Sequence, residues 1–196
     1  MRQEAIFVCA ILCTLALADD TCPDFSSKKP FDAAKFAGTW HTLAYIEHPT
    51  HTGPMKCGKV EVTHSKNGAG KTTLNYKYDY FENGKRNVAY KLSQALHPET
   101  PGRLQSTWRM EGETTWSNAY ESSVIATDYE NYAVEVLCAY YYIEPHNAFI
   151  RSYYAQILGR KTSLPADTLK TLKEILTNYD IPQNIIRDLD NSNCAN

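Results

Sequence analysis

From Thr72 to Phe81 the side chains alternate with a period of two, setting Leu74, Tyr76, Tyr78 and Tyr80 on one face, and Asn83-Gly84 follows one residue later. Such alternation marks a strand with two unlike faces, and Asn-Gly is the dipeptide whose left-handed backbone closes a two-residue hairpin. The chain returns as Lys85 to Leu96, with Val88, Tyr90 and Leu92 in phase. A lone hairpin is marginal in water, so the rest of the chain must supply more sheet.

It does so at regular intervals. In Gly38 to Glu47, Trp40, Thr42, Ala44 and Ile46 share one face, and His41, Leu43 and Tyr45 the other. Cys57 to Ser65 aligns Val60, Val62 and His64, and Arg103 to Met110 aligns Leu104, Ser106, Trp108 and Met110. Tyr120 to Thr127, Asn131 to Tyr141 and Ala148 to Leu158 raise the count to about eight strands. Between the runs lie Gly- and Pro-rich turns such as Asn67-Gly68-Ala69-Gly70 and His97-Pro98-Glu99-Thr100-Pro101-Gly102. After Pro165 the period changes: Leu169, Leu172, Ile175 and Leu176 sit at helical spacing, with Ser163 as cap and Pro165 and Asp167 suited to the first turn. This predicts an amphipathic helix over about 166–179, ended by Ile181-Pro182 and followed by a tail to Cys194. Residues 19–35 read as an irregular lead across one end of the sheet, with a short helical turn at Asp32 to Phe36.

At the N-terminus Arg2 precedes an apolar run from Ala5 to Leu17, too short for a bilayer, and Ala16-Leu17-Ala18 has the small-x-small form of a signal-peptidase site. Residues 1–18 are expected to be a signal peptide cleaved after Ala18, leaving 19–196 as one secreted domain without a transmembrane segment. Cys22, Cys57, Cys138 and Cys194 then remain, an even set in an oxidising compartment for which sequence alone permits three pairings. No CxxC spacing points to zinc or redox chemistry.

Three clusters carry a family resemblance: Phe36-Ala37-Gly38-Thr39-Trp40 at the first strand, Thr127-Asp128-Tyr129 between two late strands, and Ile157-Leu158-Gly159-Arg160 at the end of the last. In this order and spacing they resemble the lipocalins. The phrases from Val124 to Ala133 and from Ile157 to Pro165 are similar to apolipoprotein D and to insect bilin-binding lipocalins such as insecticyanin. The resemblance covers nearly all of the chain after residue 20. It implies an all-β, eight-stranded antiparallel up-and-down barrel over about 38–159, with one C-terminal helix packed outside. It also implies disulfides Cys22–Cys138 and Cys57–Cys194, each closing a long loop and stabilising by about 4 to 5 kcal/mol in chain-entropy models. Trp40 should fill the closed end with Arg160 over its ring, and the loop from His48 to Pro54 should be a lid. By the family pattern Phe36, Val62, Asn75, Tyr132, Tyr154, Gln156 and Leu158 match cavity-lining positions, and register from Trp40 adds Thr42, Ala44 and Ile46. Gln156 departs from the Trp common in such relatives, making that wall more polar.

The implied function is extracellular carriage of a small hydrophobic or amphipathic ligand: a bilin, steroid, fatty acid or other lipid. No cofactor is required, though a biliverdin-type tetrapyrrole is among the ligands implied. Fourteen Tyr, three Trp and six Phe suit a cavity for a planar or amphipathic molecule. Alternatives are sequestration of biogenic amines, which needs an inward carboxylate such as Glu61 or Glu135, and contact with a cell-surface receptor. A net charge of −2 with no basic stripe excludes a nucleic-acid partner. No nucleophile or acid/base set for catalysis is legible. Gly68-Ala69-Gly70-Lys71-Thr72 lacks the first glycine of a phosphate loop, and His41, His48, His51, His64, His97 and His146 show no metal spacing.

Overall fold

The computed structural model describes residues 22–46, 53–144 and 147–194. The expected signal peptide, its cleavage site and most of the lid loop, with His48 and His51, lie outside these, as does His146.

A short helix, α1 (Ala33–Phe36), is capped by Asp32 Oδ1, which accepts from the N–H groups of Ala34 and Lys35. Eight antiparallel strands follow: β1 (Gly38–Ile46), β2 (Met55–Lys66), β3 (Thr72–Glu82), β4 (Lys85–Ala95), β5 (Arg103–Met110), β6 (Tyr120–Thr127), β7 (Tyr132–Ile143) and β8 (Ala148–Gly159). Each pairs with the next, and β1 pairs with both β8 and β2, so the sheet closes as an up-and-down barrel. Closure removes the free edges that would otherwise recruit another chain. Helix α2 (Ala166–Thr177) lies after the barrel; its N-cap is Pro165, without a side-chain cap, so Ser163 does not take the predicted role.

A ninth strand was not foreseen. β9 (Ile186–Asp188) pairs with Ala44 to Ile46 of β1, where β2 has already diverged, and an isolated parallel bridge joins Asp190 to Lys56. The tail thus fills the gap between β1 and β2. The Cys57–Cys194 disulfide anchors it there, while Cys22–Cys138 ties the N-terminal lead to β7, giving the pairing that the resemblance implied.

Two apolar cores share the barrel wall. Inside the closed end, Phe31, Phe36, Trp40, Val60, Val62, Leu74, Tyr76, Leu104, Val124 and Leu158 pack together. Outside, Leu172 and Leu176 of α2 cover Ala44, Ile46, Val134, Val136, Ala155 and Ile157. Between them Arg160 seals the closed end. Its guanidinium carbon lies 3.5 Å from the Trp40 ring centroid, and it donates to the carbonyls of Tyr129, Thr39, Lys35 and Ala37 at 2.9–3.0 Å. Trp40 Nε1 in turn donates to the Phe36 carbonyl at 2.8 Å. Gly38 adopts φ +108°, and a Cβ there would stand 3.0 Å from Arg160 Nη1, so both backbone conformation and space call for glycine.

In the neighbouring turn Asp128 Oδ1 accepts from the N–H groups of Glu130, Asn131 and Tyr132, and the Tyr129 hydroxyl donates to the Pro30 carbonyl. That cluster is spent on holding the closed end together.

Truncating Trp40 to Ala should cost about 3–5 kcal/mol, because a fully buried ring and the face for Arg160 are lost together. Urea unfolding with an unchanged midpoint would refute this. Tyr76 is 2% exposed, and its hydroxyl has no hydrogen-bond partner among the described residues. Tyr76→Phe should therefore stabilise the protein by about 1 kcal/mol, since it removes a desolvated polar group and keeps the ring; calorimetry would register a higher melting temperature.

Candidate ligand-binding site

The inner face follows from the strand registers. β3 directs Leu74, Tyr76, Tyr78 and Tyr80 inward, opposite Ser93, Lys91, Ala89 and Asn87 of β4. The phase of Val88, Tyr90 and Leu92 is therefore the outer one, and Leu92 is 41% exposed. β5 contributes Leu104, Ser106, Trp108 and Met110, and β6 contributes Tyr120, Ser122 and Val124. From β7 and β8 come Ala133, Glu135 and Leu137, paired with Leu158, Gln156 and Tyr154.

The interior has three levels. At the bottom is the closed-end core. Phe36 packs tilted against Trp40 at 5.4 Å between centroids, and Val62 and Leu158 are packed with them, so these three expected cavity residues belong to the packed floor. At mid-height the wall turns polar. Lys91 makes an ion pair with Glu135, whose side chains are 5% and 2% exposed, and Lys91 Nζ sits 3.8 Å from the Tyr76 ring centroid. Gln156 Nε2 donates to Glu135 Oε2 at 3.0 Å and to the Tyr78 hydroxyl at 3.1 Å. Beside them the hydroxyls of Ser93, Ser106 and Ser122 form a chain at 2.7 and 2.9 Å across three strands. Tyr78 in this level is only partly buried, above it Tyr80, Tyr120, Tyr154 and Met110 are likewise partly buried, and Trp108 is 44% exposed, so the interior opens toward the β3–β4 hairpin.

Burial sets the protonation states. Desolvation, then the charge of Glu135, raises the pKa values of Tyr76, Tyr78 and Tyr154 well above that of free tyrosine, so these side chains remain neutral hydroxyls. Desolvation lowers the Lys91 pKa, opposed by attraction to Glu135. Lys91 and Glu135 together form a unit without net charge.

Of the other expected lining residues, Thr42, Tyr154 and Gln156 face the interior. Ala44 and Ile46 do not: the β1–β8 register shifts between Thr42 and Ala44, and the extra residue, Leu43, turns the following side chains over. Tyr45, paired with Gln156, takes the inner face, and Ala44 and Ile46 lie beneath α2. Asn75 is exposed on the outer face of β3 between Thr63 and Leu92, out of phase with the inward tyrosines. Tyr132 packs outside with the helix-covered core, because Ala133 holds the inward position. Glu61 is paired with Lys59 on the outer surface, which leaves Glu135 as the inward member of the two carboxylates considered. Lys91, Tyr78 and the serine chain were missed; the signal available was the polar phase Lys91, Ser93 opposite the apolar phase of β4.

Residues 37–193 match the model of the Lipocalin / cytosolic fatty-acid binding protein family. The chain is similar to apolipoprotein D of Rattus norvegicus, 29% identical over 189 residues that cover 88% of this chain and 84% of that protein. It is similar to insecticyanin-A of Manduca sexta, 25% identical over 171 residues covering 81% and 78%. Among solved structures apocrustacyanin C1 superposes with a TM-score of 0.66 at 17% identity, covering 88% of this chain and 89% of that one, a likeness of fold alone. With the closed barrel and a family match across most of its length, the chain belongs to the lipocalin / cytosolic fatty-acid binding protein family.

Proposed function

We propose that the protein is a secreted carrier that holds one small amphipathic molecule in the upper half of its barrel. The observation that carries this reading is the set of inward tyrosines, Tyr78, Tyr80, Tyr120 and Tyr154, left partly open above a sealed and packed lower half. Broad aromatic faces offer apolar burial, while a few polar groups fix orientation, the usual make-up of a small-molecule cup. Secretion draws support from the expected signal peptide and from two disulfides of the kind that persist in oxidising compartments. The ligand class spans bilins, steroids, fatty acids and other lipids. Amine sequestration has weaker support: its inward carboxylate, Glu135, already has Lys91 and Gln156 on its two oxygens.

Tryptophan fluorescence of the mature protein, titrated with biliverdin, a steroid, a fatty acid and an aromatic amine, tests the reading. Trp108 at the mouth is the expected reporter, and Trp40 is shielded in the closed end. Saturable one-to-one quenching by at least one of the first three is expected, with a shifted visible band in the case of biliverdin. Tight binding of the amine alone would replace carriage by sequestration, and no saturation by any of them would overturn the reading. Tyr154→Ala should weaken the preferred ligand by about tenfold, the scale of one lost aromatic contact. Tyr132→Ala, on the outer face, should leave affinity unchanged in the same titration.

A further inference from the structure

Lys91 is on β4 and Glu135 on β7, three strands apart around the barrel; Tyr78 on β3 and Gln156 on β8 are also three strands apart, counted through β2 and β1. At about 4.8 Å per strand, such positions are separated by roughly 14 Å of wall, so side-chain contacts between them run as chords through the interior. The two chords are joined where Gln156 Nε2 donates to Glu135 Oε2. They form a cross-brace at mid-height. Beneath it Tyr76, Phe36, Trp40, Leu74 and Leu158 are at most 2% exposed and leave no room for a ligand.

We propose that this brace of Tyr78, Lys91, Glu135 and Gln156 is the floor of the binding cup and selects a compact, rigid ligand that leads with a neutral hydrogen-bond acceptor, excluding long acyl chains. The proposal rests on the carrier reading above and adds the ligand class to it.

The selection follows from donors and charge. Both oxygens of Glu135 are engaged, one by Lys91 and one by Gln156. Both hydrogens of the Gln156 amide are used as well, on Glu135 and on the Tyr78 oxygen. The Tyr78 hydroxyl accepts from Gln156, and its own hydrogen has no acceptor among the described residues. It is a donor left for an incoming molecule at the partly open level of the floor, whereas the unpartnered Tyr76 hydroxyl and the remaining N–H groups of Lys91 belong to side chains only 2% and 5% exposed; burial keeps the Tyr78 hydroxyl protonated. Because Lys91 and Glu135 cancel, the floor has no charge to neutralise. A ligand carboxylate would meet Glu135 at close range, and a ligand ammonium would meet Lys91; each would enter the cup without a free counter-charge. A ketone or lactam carbonyl incurs neither penalty. An extended sixteen-carbon chain needs about 20 Å of depth at 1.25 Å per bond, whereas the packed lower half ends the cup at the brace.

Equilibrium titration of the mature full-length protein with androstan-3-one, the hydrocarbon androstane and palmitic acid tests this, with the melting temperature of each variant measured alongside. The wild type should bind the ketone about tenfold more tightly than either of the others, the worth of one hydrogen bond. Tyr78→Phe should bring the ketone-to-hydrocarbon ratio close to one; because Gln156 Nε2 loses its acceptor the melting temperature should fall somewhat, and the ratio within the variant, not its absolute affinities, carries the test. Glu135→Gln keeps the shape and leaves the Lys91 charge unbalanced, so it should reverse the preference in favour of a steroid carboxylate. Equal affinity of the wild type for ketone and hydrocarbon, or palmitate bound as tightly as the ketone, would overturn the brace as selector while leaving the carrier reading intact. A wild type that binds none of the three would overturn both. Should Glu135→Gln fail to fold, the Tyr78→Phe ratio decides alone, and an unchanged ratio refutes the proposal.

Discussion

The stacking of Arg160 on Trp40 is the contact on which the barrel depends. A sheet rolled into a barrel must be closed off at one end if its interior is to be a cup, and at that end the backbone leaves carbonyls that sheet pairing does not satisfy. Arg160 collects five carbonyls, from α1 and the residue after it, from the start of β1 and from the turn at Tyr129, while its flat face covers the indole. A lysine has neither the fork of donors nor the planar face for this. The positive φ of Gly38 and the four hydrogen bonds that Asp128 accepts within its turn bring those carbonyls to the guanidinium. A sealed bottom lets the top remain open without exposing the core.

The features legible in the sequence are those fixed by local periodicity. Alternation placed the eight strands, Asn83-Gly84 placed a hairpin, and the change of period after Pro165 placed α2. What was not legible depended on events that alternation does not record. A single bulge residue, Leu43, reversed the facing of Ala44 and Ile46, because a one-residue slip moves every later side chain to the other side. On β4 the apolar residues Val88, Tyr90 and Leu92 face outward, and the polar phase through Lys91 and Ser93 faces inward, so alternation showed two faces there without telling which one lines the barrel. The Lys91–Glu135 pair joins positions 44 residues apart on strands that are not neighbours, and no local pattern could match them. Short β9 was hidden for a related reason: its three residues gain their place only because β2 departs from β1.

Burial is uneven around the wall, and this bears on how the cup holds its shape. Along β8, Ser152, Tyr153 and the residues from Ala155 to Gly159 are buried on both faces, because α2 and the N-terminal lead cover the outside while the interior fills the inside. Strands β3 to β5 lie outside that helix-covered core among the described residues, and Asn75, Leu92 and Gln105 are exposed on their outer faces. Packed on both sides, the β7–β8 wall has little freedom to shift, since close-packed interiors resist small displacements. The single-layered wall opposite carries Tyr78, Tyr80 and Lys91.

The polar groups at mid-height belong to that contrast. Glu135 and Gln156 project from the rigid wall, and Tyr78 and Lys91 from the exposed one. A buried ion pair adds little net stability, because desolvating both charges offsets most of their attraction. What the pair does add is geometry, since with Gln156 and Tyr78 it forms a set of directional hydrogen bonds that joins four strands across the interior. The wall covered on both faces is thereby tied to the single-layered one through contacts that cross the interior. The tyrosines above the pair are held at a set distance across the cup, and no apolar floor of the same volume would specify that distance as sharply.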